Sequence, residues 1–421
     1  MTDVTGLMGQ IETVGTDPRG PGYLRPGYSP IERELRDWFV AEAERRGLDV
    51  EIDANGIVWA WATAPGENAV VTGSHLDSVP GGGQFDGPLG VASALAAYDE
   101  LNARGTFDRP TRPFALAVFP EEEGSRFGLA CLGSRLLTGA VAAADALALT
   151  DHNGDTLADV VTRYDLDPAR MGADRDRVNQ IGSFIELHVE QGVGLINTDQ
   201  PVAIGSSIVG HGRWHFRFTG QGNHAGTTPM AHRADPVAAA SRLIGDIPAL
   251  ADAFDEAVAT VGRTSIHPGG TNVIASAMDF WLDIRHDSDD VVAEVLDAIT
   301  TRGRERAAEA AGPGARENGI EVGLDVSRES YSPTTYFHRE LNDRLRAVLP
   351  DAPLLPTGAG HDAGILAAHV PSAMLFVRNP TGVSHAPEEA CEDDDARAGA
   401  TALADVLAAE LIHGLDTGTA S

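Results

Sequence analysis

Four short runs, each opening into a loop of metal-binding residue types, constrain this chain more than anything else in it. Residues 69–71, 114–119 and 372–377 are apolar at nearly every position, and 183–189 alternates around Glu186 and His188. A strand apolar at every position is buried on both faces, which calls for a sheet covered by helices on both sides. In open α/β sheets, sites form outside the carboxyl ends of the strands. Here those ends carry His75-x-Asp77, Glu121-Glu122-Glu123, His188-x-Glu190 and Ser384-His385. The expected fold class is α/β, with helices on both faces of a mixed sheet.

The loop from Gly73 to Gly87 sets one imidazole and the carboxylates of Asp77 and Asp86 in a turn so rich in glycine that it has little packing value. Taken singly, three acids after a strand read as a solvated face, and a lone histidine in a strand reads as a core residue. The same layout repeated across one sheet makes them candidate ligands. Imidazole with carboxylate suits zinc, manganese, cobalt or nickel. If His75, Asp86, one glutamate of the acidic run, His188 and His385 converge, a bridging carboxylate lets five ligands serve two ions roughly 3.5–4 Å apart. Asp77 is spaced to accept the other ring N–H of His75 and fix its tautomer. A carboxylate beside the ligand glutamate can deprotonate a water and later protonate a leaving nitrogen. The reaction class is metal-assisted hydrolysis of an amide-like bond.

A chain of 421 residues exceeds one ordinary core, so two domains are expected. The character changes over 211–330, where alternating strands at 214–218, 279–285 and 320–326 accompany helices from Asp235-Pro236 and over 289–311. That pattern makes a small α+β insert, within a larger domain built from 1–210 and 331–421. Helices are expected over 30–46, 90–104 and 394–413, with a hairpin turn at Asn55-Gly56. The net charge of -31, with no lysine at all, leaves no basic stripe and excludes a nucleic-acid partner. A pocket for an anionic substrate must therefore bring its own arginine. No run has the length of a membrane span and the N-terminus lacks a signal pattern. Cys131 and Cys391 give no disulfide framework. The cytoplasm is the expected compartment.

The set His75-x-Asp77 with Asp86, Glu122-Glu123-Gly124-Ser125-Arg126-Phe127, His188-x-Glu190-Gln191-Gly192, Asn223-His224-Ala225-Gly226-Thr227-Thr228-Pro229-Met230 and Ser384-His385-x-Pro387-Glu388 resembles the peptidase M20 superfamily. Within it the resemblance is to the carbamoylase branch of N-carbamoyl-L-amino acid hydrolases, β-ureidopropionases and allantoate amidohydrolases. The motifs run in order over nearly the whole chain.

The resemblance implies a metallo-aminopeptidase-like catalytic domain and an inserted lid and dimerisation domain. It implies two divalent ions (zinc or manganese, with cobalt or nickel as alternatives) held by His75, Asp86, Glu123, His188 and His385, with Asp86 bridging. Glu122 is then the general base and acid, Asp77 the support of His75, and Glu121 an extra surface acid; spacing alone leaves the register of the three glutamates open. His224 is implied to stabilise the oxyanion, in the site of the partner subunit of a homodimer. Arg285 resembles the arginine that holds a substrate carboxylate, and Gln191, Asn272, Gly360 and His361 resemble further substrate contacts. Against these stand plainer readings. Arg285 could pair with Asp283 or Asp279, His361 could belong to a local turn, and Glu388 could be a carboxylate partner of a ligand histidine or simply solvated. His211, His215, His232, His267 and His338 are read as ordinary histidines. Arg378-Asn379-Pro380 departs from the small residues or prolines usual there and leaves the substrate rim open.

The expected activity is removal of the carbamoyl group from an N-carbamoyl-L-amino acid or related small ureido acid. An allantoate amidohydrolase is the alternative. A peptidase or acylase fits less well because of the pairing of Glu122-Glu123-Gly124-Ser125-Arg126-Phe127 with Ser384-His385-x-Pro387-Glu388. A metal-free binding protein on the same fold fits less well because a binding module has no use for Glu122.

Overall fold

The computed structural model of the chain describes residues 3–108 and 112–413; the last eight residues of the expected 331–421 segment lie outside them. By contacts the chain divides into two compact units, Met1–Ile208 with Tyr336–Ser421, and Val209–Thr335.

In chain order the first segment supplies β1 (Asp49–Ile52), β2 (Val58–Trp61), β3 (Ala69–His75), β4 (Phe114–Phe119), β5 (Ile181–Val189) and β6 (Val202–Ile208). The middle segment supplies β7 (Gly210–Thr219), β8 (Asn223–His224), β9 (Val258–His267), β10 (Val273–Ile274), β11 (Ala277–His286) and β12 (Gly323–Ser332). The return segment supplies β13 (Thr335–Tyr336), β14 (Leu354–Thr357) and β15 (Ser372–Val377).

The larger unit is built on a nine-stranded mixed sheet in the order β1-β2-β4-β3-β5-β15-β6, completed by β13 and by β14, which runs parallel to β6. Its centre is parallel: β4 with β3, β3 with β5, β5 with β15. Every residue of β3, β4 and β15 is buried, because successive side chains enter two different cores. Val70, Leu116, Val118, Ile185 and Leu375 face the helices Pro30–Arg45, Pro88–Ala103, Arg339–Val348 and Asp393–His413. Val71, Ala115, Ala117, Phe119, Phe184 and Met374 pack on the other side with Trp59, Leu137 and Leu366. The β1–β2 hairpin turns through Asp53–Ile57, where the Asp53 carboxylate accepts the backbone N–H groups of Asn55 and Ile57.

The smaller unit is an antiparallel four-stranded sheet in the order β12-β7-β11-β9, with a two-stranded ladder of β8 and β10. One face places Trp214, Phe216, Phe218, Phe280, Leu282 and Ile284 against the helices Pro236–Ala251 and Asp289–Ala310. Asp235 caps the first of these, accepting the Val237 N–H, with Pro236 at its first position. β6 and β9 were not legible in the sequence, since neither carries a strong period between clear turn signals; the helix Arg339–Val348 was missed although Leu341, Leu345 and Val348 fall at helical spacing. Among the described residues no helix is long and apolar enough to cross a membrane.

The central strands and the helix Pro88–Ala103 meet without room for a side chain at Gly90. A Cβ there would lie 2.2 Å from the Leu187 carbonyl oxygen and 2.7 Å from Ser74 Cβ. Gly9, in the helix Val4–Ile11, has nothing within 4 Å of that position. Gly90→Ala is therefore expected to lower stability by about 1–3 kcal/mol, and Gly9→Ala to raise it by about 0.5–1 kcal/mol. Urea unfolding followed by circular dichroism checks both, and equal effects would contradict the close packing at Gly90.

Candidate metal centre

Because β4, β3, β5 and β15 run parallel and side by side, their carboxyl ends share one edge. His75 is the last residue of β3, paired with Phe119 at the end of β4, and His188 of β5 pairs with Phe376 of β15. The loops carrying Asp86, Glu122, Glu123 and His385 all leave from that edge.

These side chains form two donor groups, His75 with Asp86 and His188, and Asp86 with Glu123 and His385. Asp86 belongs to both through different oxygens. Its Oδ1 lies 3.5 Å from His75 Nε2 and 3.2 Å from His188 Nε2, and its Oδ2 lies 3.4 Å from His385 Nε2. His385 Nε2 is 3.3 Å from Glu123 Oε2. Gly87, at φ 82°, turns the loop directly over the His75 ring; a Cβ there would sit 2.4 Å from it.

The ring nitrogens identify what the gap suits. His75 Nδ1 is 3.1 Å from the Asp77 carbonyl oxygen and His188 Nδ1 is 2.9 Å from that of Val189. A carbonyl only accepts, so each Nδ1 carries a hydrogen, and whenever the ring is neutral its Nε2 lone pair faces Asp86. Both Nε2 atoms are buried and lack a hydrogen-bond partner. Such a lone pair facing a carboxylate calls for a proton or a metal cation between them, and imidazole with carboxylate is a donor set for a divalent metal ion.

The electrostatics point the same way. Burial pushes the Glu122 carboxyl well up, opposed by His75 and reinforced by Asp362, Glu123 and Asp77. Burial and Asp86 lift Glu123 to about 7. His75 is pulled down by burial, yet Glu122, Asp77 and Asp86 outweigh this and hold it well above the usual imidazole range. His385, bonded to Asp86, rises to about 9. The acids crowd one another, and either protons or a cation must relieve them.

Asp77 does something the sequence did not suggest. Its carboxylate is 3.6 Å from His75 Nδ1, farther than its own carbonyl, and instead accepts the backbone N–H groups of Glu122 and Glu123, each at 3.1 Å. It thus ties the loop after β3 to the acidic run after β4. Glu122 Oε2 is left 3.8 Å from His75 Nε2, while Oε1 accepts the Cys131 thiol at 3.4 Å.

Glu121 is not a surface acid. It is wholly buried at φ 54°, and its Oε1 accepts the N–H groups of Arg126 and Phe127, both at 2.8 Å, which closes the loop that carries Glu122 and Glu123. The carboxylate near His385 is Glu389 rather than Glu388. Glu389 is 5 % exposed, whereas Glu388 faces solvent. Two adjacent glutamates in a loop offered no signal to choose between them.

Of the expected substrate contacts, two lie at this centre. The Gln191 amide Nε2 is 2.9 Å from Asp86 Oδ2 and 3.3 Å from His385 Nε2. His361 is buried with its ring centroid 4.5 Å from that of His188, beside the exposed Gly360. Three others, His224, Asn272 and Arg285, belong to the smaller unit. His224 is exposed on β8, and the Asn272 carbonyl accepts the Ala225 N–H at 2.9 Å. Arg285 is part-exposed on β11 and donates from Nε to Asp283 at 2.8 Å, the pairing foreseen as its plainer reading. Arg378 does not reach the rim; it grips both oxygens of Asp395 at 2.8 and 2.9 Å. His215 and His267 bond the two oxygens of buried Asp279, and His338 caps the helix Arg339–Val348.

Residues 71–409 match Peptidase family M20/M25/M40. The chain is 35% identical over 399 residues to an N-carbamoyl-L-amino acid amidohydrolase of Geobacillus stearothermophilus, covering 94% of each. It is 30% identical over 406 residues to an allantoate amidohydrolase of Escherichia coli strain K12, covering 94% of this chain and 95% of that one. A crystal structure of a hydantoinase/carbamoylase family amidase from Burkholderia multivorans superposes with a TM-score of 0.82 at 28% identity over 97% of both chains. With its ligand-bearing loops gathered at one sheet edge and a family match spanning most of its length, the chain belongs to peptidase family M20/M25/M40.

Proposed function

We propose that this protein is a metal-dependent amidohydrolase that cleaves the ureido C–N bond of N-carbamoyl-L-amino acids or related ureido acids. The observation that carries the reading is the pair of donor groups sharing Asp86, with the Glu122 carboxyl 3.8 Å from His75 Nε2. The relatives named for this activity support it in substrate class. An allantoate amidohydrolase is the second reading, favoured by the Escherichia coli relative.

In this reading His75, Asp86 and His188 hold one divalent ion, and Asp86, Glu123 and His385 a second, either zinc or manganese, with cobalt or nickel also suited. Such ions polarise a carbonyl and make water acidic enough to attack near neutral pH. Glu122 takes the proton of the attacking water and returns it to the departing nitrogen. Its buried setting, which favours the protonated form, suits the second half of that task. Water adds to the ureido carbon and one C–N bond breaks, releasing an amine and a carbamic acid. The carbamic acid then loses carbon dioxide by breaking the second C–N bond, so the products are amino acid, carbon dioxide and ammonia.

Arg285 and Asn272 hold the substrate carboxylate, and a guanidinium fork matches it bidentately. Gln191, Gly360 and His361 line the reacting end. The unit Val209–Thr335 serves as lid and dimerisation domain, and His224 acts on the oxyanion in the partner subunit's site. Support comes from its tautomer: His224 Nδ1 accepts the Gly226 N–H at 3.1 Å, so a neutral ring carries its hydrogen on Nε2 as an outward donor. The protein acts in the cytoplasm, a reducing compartment that suits the free thiols of Cys131 and Cys391.

Ammonia release from a panel of N-carbamoyl-α-amino acids, N-carbamoyl-β-alanine and allantoate tests the substrate. Turnover of at least one, abolished by a chelator and restored by divalent metal, is expected; release indifferent to the chelator would refute a metal mechanism. Glu122→Gln is expected to keep metal and lose about 10²–10⁴-fold in kcat, while Glu123→Gln loses metal content by elemental analysis. The reverse pattern would move base and ligand by one residue.

A further inference from the structure

Asp86 is asked to present one oxygen to each donor group, so whatever fixes its backbone fixes both. The loop that holds it is rich in glycine and makes no apolar core of its own. The constraint comes from 303 residues away in sequence, where Glu389 Oε1 accepts the backbone N–H of Phe85 at 2.9 Å and of Asp86 at 3.0 Å. Gly83 leaves the space for this, since a Cβ there would lie 2.3 Å from the same oxygen. Ser384 Oγ is 3.3 Å from Glu389 Oε2 and 3.3 Å from Asp86 Oδ2, so the same carboxylate also steadies the residue before His385. Glu389 itself is fixed by its backbone N–H to the Ala386 carbonyl at 3.1 Å.

We propose that Glu389 is a positioning residue for the metal centre: it locks the Asp86 loop to the His385 loop, and the affinity for divalent metal depends on it. Two N–H groups on one carboxylate oxygen set the position of Asp86 along the chain, and the serine shared with the other oxygen sets its rotation. Without Glu389 the Phe85 and Asp86 N–H groups lose their acceptor, and the loop is free to carry Asp86 away from both histidine sets. Partners behind a ligand of this kind typically contribute about 10–100-fold in metal affinity. The inference rests on the metal reading of the site, but not on the substrate.

The test is calorimetric titration of the full-length, metal-stripped protein with Mn2+ alone, in the parent, Glu389→Ala, Glu389→Gln and Glu388→Ala. Near-UV circular dichroism and the melting temperature of the stripped protein report folding. Glu389→Ala is expected to bind Mn2+ about 10–100-fold more weakly. Glu389→Gln, which keeps an oxygen for both N–H groups, is expected to stay within about threefold of the parent, as a single retained acceptor implies. Glu388→Ala, exposed one residue away, should match the parent. Unchanged affinity in folded Glu389→Ala would overturn the proposal, as would a Gln variant as weak as the Ala variant. A parent that binds no Mn2+ would instead refute the metal reading itself, and a parent that binds Mn2+ but hydrolyses no ureido acid would refute only the substrate reading.

Discussion

Parallel pairing of β4, β3, β5 and β15 is the constraint on which the candidate centre depends. Parallel neighbours send their carboxyl ends to the same edge, so four segments far apart in sequence deliver His75, the acidic run, His188 and the His385 loop to one place. The pairing in turn depends on cores on both faces, because strands this apolar would otherwise expose Val70 or Val71 whichever way they turned. Helices on either side satisfy both, and connections that return over the sheet make the parallel order possible.

Around that edge, loops with little apolar content are held by carboxylates that each accept two backbone N–H groups. Asp77 takes those of Glu122 and Glu123, Glu121 those of Arg126 and Phe127, Glu389 those of Phe85 and Asp86, and Glu190 those of Gly194 and Leu195. A carboxylate suits this use because a charged acceptor forms shorter and stronger bonds than a neutral one. It also has a consequence: burial first, and the charge of Asp77 in addition, raise Glu122 and Glu123 and favour a cation in the gap. The scaffold of the loops and the chemistry of the centre are therefore one electrostatic arrangement.

Much of this was legible in the sequence, and the failures have physical causes. The four central strands announced themselves because burial on both faces leaves no polar position in β4 and only the first residue, Ser372, in β15, and the turns after them carried residues with no packing use. Strands β6 and β9 escaped because Gly205-Ser206-Ser207 and Gly262-Arg263 interrupt any period. Glu121 was read as solvated because acids usually are; only the left-handed turn at φ 54°, which aims its side chain inward, makes it a loop closure. Asp77 was assigned to the His75 ring from a two-residue spacing, yet the backbone carbonyl reaches Nδ1 first and frees the carboxylate for another strand's loop. Choosing Glu389 over Glu388 required knowing which of two neighbours points into the fold.

The bridging role proposed for Asp86 is tested most directly by electron paramagnetic resonance of the protein loaded stepwise with Mn2+. Two ions held by opposite oxygens of one carboxylate lie close enough for exchange coupling. The isolated six-line spectrum seen at low loading is predicted to give way to a coupled-pair signal as the second equivalent binds. A six-line spectrum that simply grows in proportion to added Mn2+ up to full occupancy would contradict the bridge.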